Sequence, residues 1–191
     1  IGSEGARQLA EALKVNKALT TLDLESCEFG SEGALELAEA LKTNEGLTSL
    51  HLEGNLIGSE GAWALGEALK SNAALKSLRL GRNSLGPEGA WGLAEGLKTN
   101  AALTLLSLDG FGWPWRRNDN PVGSEGALAL AEALTTNKVL KSLVLEDQSI
   151  GPEGARGLAE ALKSNAALTS LALQGNSIGS EGARELAEAL K

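Results

Sequence analysis

With a single histidine, a single cysteine and no tyrosine, this chain can do little chemistry. His51 is the one side chain whose ordinary titration lies near neutrality. Cys27 is the one thiol, which excludes an intrachain disulfide. A Ser–His–Asp or Cys–His site therefore has little to draw on, and the sequence carries no phosphate loop, zinc-ligand pair or calcium loop. Asp23 and Glu25 stand two apart, the spacing that points two carboxylates the same way from a strand, but the pattern around them builds no enclosing pocket. The expectation is a protein that is not an enzyme and holds no cofactor or metal. Recognition is better provided for. Residues 111–119 hold two of the four Trp, one of the two Phe and the only adjacent arginines. Phe111, Trp113, Trp115, Arg116 and Arg117 are of the types that dominate interface energy. The guanidiniums suit acidic or phosphorylated groups, and Pro114 limits the segment's freedom.

These residues must be positioned by a repeat. Glu-Gly-Ala begins at Glu4, Glu32, Glu60, Glu88, Glu125, Glu153 and Glu181, and Leu-x-Leu at Leu22, Leu50, Leu78, Leu106, Leu143 and Leu171. Both markers step by 28 residues, with one step of 37. A fixed period of this size is the signature of a solenoid. One half of each repeat reads like residues 30–44, where Ala34, Leu37, Ala38 and Leu41 fall on one helical stripe and Glu36 and Glu39 point away. Ser31 is placed to cap that helix, and Pro87 and Pro152 fit a first turn. Asn44 and its equivalents Asn16, Asn72, Asn100, Asn137 and Asn165 follow the last turn, where a left-handed residue commonly ends a helix. The other half reads like residues 47–55, with Leu50 and Leu52 alternating with polar residues as a short strand with one buried face. Asn55, Asn83 and Asn176 close that motif and are expected to satisfy backbone groups where strand turns to helix. Cys27 occupies the same position and reads as a small buried residue.

Between the leucines, side chains face outward from the strands. The central column is Asp23, His51, Arg79, Ser107, Val144 and Ala172, and it changes at every repeat while the core positions scarcely change. Adaptation to a ligand leaves that pattern, and so does drift at unconstrained sites. Leu105 and Val144 are expected to be exposed apolar residues on the strands beside the insertion. They offer its aromatics a landing site, with Asp109 or Glu146 able to pair with Arg116 or Arg117. On the helices a flank column reads Arg7, Leu35, Trp63, Trp91, Leu128, Arg156 and Arg184. Its tryptophans suit either an exposed convex patch or packing across to the next helix, the favoured expectation, with Gly96 making room for a ring.

The pattern LxxLxLxxN/C-x-IGxEGAxxLAEALKxN resembles the ribonuclease-inhibitor subfamily of leucine-rich repeats, closest to the C-terminal repeats of NLR proteins. The resemblance covers the chain outside the insertion. It implies an α/β leucine-rich-repeat solenoid, a horseshoe arc with a parallel concave sheet and convex helices, forming one domain over 1–191 with a rim loop at 111–119. The chain opens and closes in mid-repeat without a divergent polar cap, which suits a piece of a longer array or a designed closure. A net charge of −8 argues against nucleic acid and membrane surfaces. The expected partner is a protein or peptide, bound through the concave face and the loop in a cytoplasmic setting. The alternative is an engineered or consensus scaffold without a natural ligand.

Overall fold

The computed structural model describes residues 1–109 and 120–191. Among them, seven helices alternate with six short strands: α1 (Gly2–Val15), β1 (Thr21–Asp23), α2 (Gly30–Leu41), β2 (Ser49–His51), α3 (Gly58–Ser71), β3 (Ser77–Arg79), α4 (Gly86–Thr99), β4 (Leu105–Ser107), α5 (Gly123–Thr136), β5 (Ser142–Val144), α6 (Pro152–Leu162), β6 (Ser170–Ala172) and α7 (Gly179–Ala189). The strands form one open parallel sheet in sequence order. Its register joins each residue to its equivalent one repeat on, so Leu22, Leu50, Leu78, Leu106, Leu143 and Leu171 make a single row. This is an α/β solenoid of leucine-rich repeats.

The core lies between sheet and helices. Leu50, Leu52, Leu78 and Leu80 are fully buried from the sheet side, and Ala34, Leu37, Ala38 and Leu41 from the helix side, as the stripe requires. Each fully buried leucine contributes roughly 1.5–3 kcal/mol. The outer helix faces carry recurring Glu–Lys pairs three residues apart, such as Glu39–Lys42 at 2.5 Å and Glu95–Lys98 at 2.6 Å. Being exposed and screened by solvent, they add little to stability.

Two asparagine ladders tie the repeats together. In the first, Asn55 Nδ2 donates to the carbonyls of Leu24 (2.7 Å) and Leu52 (3.0 Å), and its Oδ1 accepts the Cys27 N–H (2.7 Å). Asn83, Asn120 and Asn176 repeat the arrangement. Cys27 does stand at this position but is half-buried. Gln148 breaks the ladder. Its longer side chain folds onto the Glu146 carbonyl (2.8 Å), and its fully buried Oε1 meets no partner among the described residues.

The second ladder corrects an expectation. Asn16, Asn72, Asn100 and Asn137 are extended, with φ near −70° and ψ near +120°, not left-handed. They end the helices through side-chain bonds. Asn72 Nδ2 donates to the Leu41 and Asn44 carbonyls of the preceding repeat, while its Oδ1 accepts the N–H groups of Ala74 and Leu75. The helix starts differ as well. Ser31 lies inside α2, whose cap residue is Phe29, and it makes no capping bond. The first residue of the helix is held instead by its backbone: Gly30 takes φ +64°, and its N–H donates to the Asn55 carbonyl of the next repeat. Pro87 and Pro152 do occupy first turns.

Between α3 and α4 the backbones approach closely. A methyl group on Gly66 would lie 2.6 Å from the Gly92 carbonyl carbon, and one on Gly96 would lie 2.9 Å from Gly66 Cα. Gly96 therefore admits a backbone, not a tryptophan ring. Trp63 does pack across to the next helix, but over Gly92, where an added methyl would meet its ring at 2.7 Å.

Candidate functional site

The outward face of the sheet is built by geometry that the sequence fixes. Each strand is three residues long, and its first and third side chains point away from the core. The register then sets Asp23, His51, Arg79, Ser107, Val144 and Ala172 side by side in one row. Thr21, Ser49, Ser77, Leu105, Ser142 and Ser170 form the row beside it.

The two halves of this face differ. Over β1–β3 it is charged with both signs. His51 Nδ1 lies 3.8 Å from Asp23 Oδ2, and His51 Nε2 lies 3.1 Å from Ser49 Oγ. Arg79 is exposed beyond them. The chain just past the strands adds Glu25 and Glu53, and with them Arg82, which the sequence reading does not single out. Arg82 pairs with Glu25 two repeats away, passing over Gly54, where an added methyl would lie 3.6 Å from its Nη2. It does so from a left-handed backbone, φ +57°, at the position where other repeats have Gly54 and Gly175. Ser26 and Asp147 take the same left-handed backbone at this position in their own repeats, so no local signal singles out Arg82.

Over β4–β6 the face is smaller and less polar. Ser107 is almost wholly buried and donates to Asp109. Leu105 and Val144 are half-buried, not exposed as expected. Glu146 accepts from Gln174 Nε2 at 3.0 Å. Phe111, Trp113, Trp115, Arg116 and Arg117 lie outside the described residues, as do the expected pairings of Arg116 and Arg117.

Ser49, His51 and Asp23 follow one another in the order of a nucleophile, a base and an orienting acid. The surroundings do not support that chemistry. The Asp23–His51 separation is beyond a hydrogen bond. The N–H groups of Thr48 and Ser49 are spent on the Thr20 carbonyl, so neither can receive an oxyanion beside the serine.

Glu53, on this face, has its pKa raised above the ordinary carboxylate value. Half-burial disfavours its charge, while nearby His51 and Arg79 partly offset the effect. Its Oε2 has no hydrogen-bond partner among the described residues. An acid whose folded-state pKa is raised destabilises the fold once pH exceeds its unfolded value, here near 4.5. Glu53→Gln is therefore expected to melt above wild type at pH 7, with the gap closing as pH falls to about 4. Melting temperatures across that range check it, and a gap that does not depend on pH would contradict it.

Among the described residues no helix is long and apolar enough to cross a membrane, and no group of acids, histidine and cysteine is placed to hold a metal ion.

The family described as the TMOD/LMOD leucine-rich domain matches residues 1–118, and a leucine-rich-repeat family matches 164–187. No curated protein matches. Among solved structures, leiomodin-1 actin-binding site 2 superposes with a TM-score of 0.52 at 16% identity, over 96% of this chain and 88% of that one. The C-terminal domain of a Caenorhabditis elegans tropomodulin superposes with a TM-score of 0.58 at 14% identity, over 98% and 90%. At such identities these likenesses speak for the fold.

Proposed function

We propose, since the chain belongs to the TMOD/LMOD leucine-rich domain family, that it is a non-enzymatic protein-binding module that docks its partner on the outward sheet face of β1–β3. The observation that carries this reading is the in-register row Asp23, His51, Arg79, extended by the Glu25–Arg82 strap. Side chains of both signs on one rigid sheet favour a specific polar interface, because a partner must match each sign in place. Actin is the first partner to test, since it is named for the leiomodin-1 structure that shares the fold.

The inserted segment 111–119 is the second part of the reading. Its ends, Asp109 and Asn120, belong to the edge where β4 hands over to α5. Trp113, Trp115, Arg116 and Arg117, inserted between those two residues, are of the types that dominate interfaces. The near-identity of the helices supports a different reading, a consensus-like scaffold with no ligand, and the experiment separates the two.

The experiment is equilibrium binding of the labelled chain to purified actin. Three forms are compared: wild type, the triple variant Asp23→Ala, His51→Ala, Arg79→Ala, and a chain lacking residues 111–119. Wild type is expected to bind. The triple variant should lose at least about tenfold, or ~1.4 kcal/mol, and the deletion should weaken binding with its melting temperature held, because a repeat stack does not need the loop. Undiminished binding by the triple variant refutes the sheet face. No binding by wild type refutes actin and favours the scaffold.

A further inference from the structure

Away from the sheet, the helices carry a second organised surface. Leu35, Trp63, Trp91 and Leu128 stand at one position of α2–α5 and are 39%, 38%, 56% and 38% exposed. Large apolar side chains lined up on consecutive helices form a patch of the kind that marks an interaction surface. Three residues before each stands an exposed glutamate: Glu32, Glu60, Glu88 and Glu125. Residues three apart share a helix face, so each apolar side chain has a carboxylate beside it. None of these four carboxylates has a Lys or Arg within ion-pair distance among the described residues. At both ends the pattern changes. Arg7 and Arg156 replace the apolar residue and pair with their own glutamates, Glu4 at 2.7 Å and Glu153 at 3.8 Å. The central four repeats are thus left with an apolar row beside an uncompensated acidic row.

We infer that this flank is a docking surface for a basic amphipathic helix of a partner protein. Charge complementarity selects the chemistry: the occupant must bring Lys or Arg to four carboxylates and apolar side chains to two leucines and two tryptophans. A second copy of the chain is disfavoured, since it carries the same acidic row and a net charge of −8. Spacing selects the conformation. Packed helices lie about 8–10 Å apart, and seven residues of α-helix rise about 10.5 Å and return to nearly the same face. One apolar residue in each heptad can therefore meet one repeat. An extended strand covers the same distance in about three residues, which would turn alternate contacts away from the surface. The flank is also indented where such side chains would enter: a hollow of about 140 Å³ is lined by Pro87, Glu88, Trp91 and Glu125. A hollow of about 350 Å³ marks the end of the row, between Glu32, Leu35 and Glu36 of α2 and Ser3, Glu4 and Arg7 of α1.

The test uses the full chain and a synthetic helical peptide of about 25 residues, long enough for four repeats at 1.5 Å per residue. It carries leucine at every seventh position and lysine on the adjoining position. Anisotropy of the labelled peptide is expected to show binding that weakens with salt. Affinity should fall at least tenfold in Trp91→Ser, and independently in Glu60→Lys combined with Glu88→Lys. All three positions are exposed, and unchanged melting temperatures confirm folding. The peptide with glutamate for lysine, or with a central proline, should not bind, and the sheet-face variant Asp23→Ala should bind as wild type does. Absence of binding, equal binding of the acidic or proline peptide, or indifference to Trp91→Ser would overturn the inference. So would self-association of the chain that Trp91→Ser abolishes, which would make a second copy the occupant.

Discussion

Replacing Asn83 with alanine is expected to lower the unfolding free energy by about 3 kcal/mol, a large share of what a domain of this size has. Asn83 is fully buried. Its Oδ1 accepts the Asn55 N–H at 2.8 Å, and its Nδ2 donates to the carbonyls of Leu52 (2.8 Å) and Leu80 (3.0 Å). The losses are unequal. Leu52 keeps a bond from Asn55 and Leu80 one from Asn120, so each carbonyl retains a donor. The Asn55 N–H keeps nothing, and an orphaned buried donor costs about 1–3 kcal/mol by itself. The lost carbonyl bonds and the small cavity supply the rest. Urea denaturation checks this, and a loss below about 1 kcal/mol would show that the ladder is not what couples the repeats.

The second large effect runs against helix propensity. Gly→Ala inside a helix ordinarily stabilises by up to about 1 kcal/mol. Gly66→Ala is expected to destabilise by about 2–3 kcal/mol. The added methyl would collide with the Gly92 backbone, and a backbone carbonyl can yield only if α3 and α4 separate. Gly157→Ala provides the contrast. There the methyl meets only the far end of Leu128, a flexible and partly exposed side chain that can swing aside. That variant should be neutral or up to about 1 kcal/mol more stable. Opposite signs for two identical substitutions are the expected result, and equal signs would contradict the close approach of α3 and α4.

What the sequence made legible follows from where each cause resides. The stripe Ala34, Leu37, Ala38, Leu41 and the alternation at Leu50 and Leu52 are local periodicities, and both lie in the core as read. Asn55 and Asn83 were identifiable as ladder residues because they recur with the repeat. The sequence marks Asn72 only as a helix end. Its bonds go to carbonyls of Leu41 and Asn44, about one repeat away, and no local rule for helix caps sees them. Composition points Gly96 to the wrong neighbour for a similar reason: its partner Gly66 is set by interhelical distance. On the sheet face, the column Asp23, His51, Arg79 was readable from alternation. The Glu25–Arg82 strap was not, because it spans two repeats and begins at a residue in a left-handed turn. The insertion could be bounded by counting residues, since its ends interrupt an otherwise constant period.

The sheet-face account is tested most directly by mapping which carboxylates a bound partner covers. Asp23 and Glu25 side chains are 62% and 53% exposed, and Glu39 and Glu67 on the helices are 58% and 50% exposed, so all four react readily with a carboxyl-labelling reagent in the free chain. Labelling with and without saturating actin, read by mass spectrometry, compares the two faces in one sample. Protection of Asp23 and Glu25 with Glu39 and Glu67 unchanged is the predicted result. Labelling of Asp23 and Glu25 at their free rates, with Glu39 and Glu67 protected instead, would contradict it.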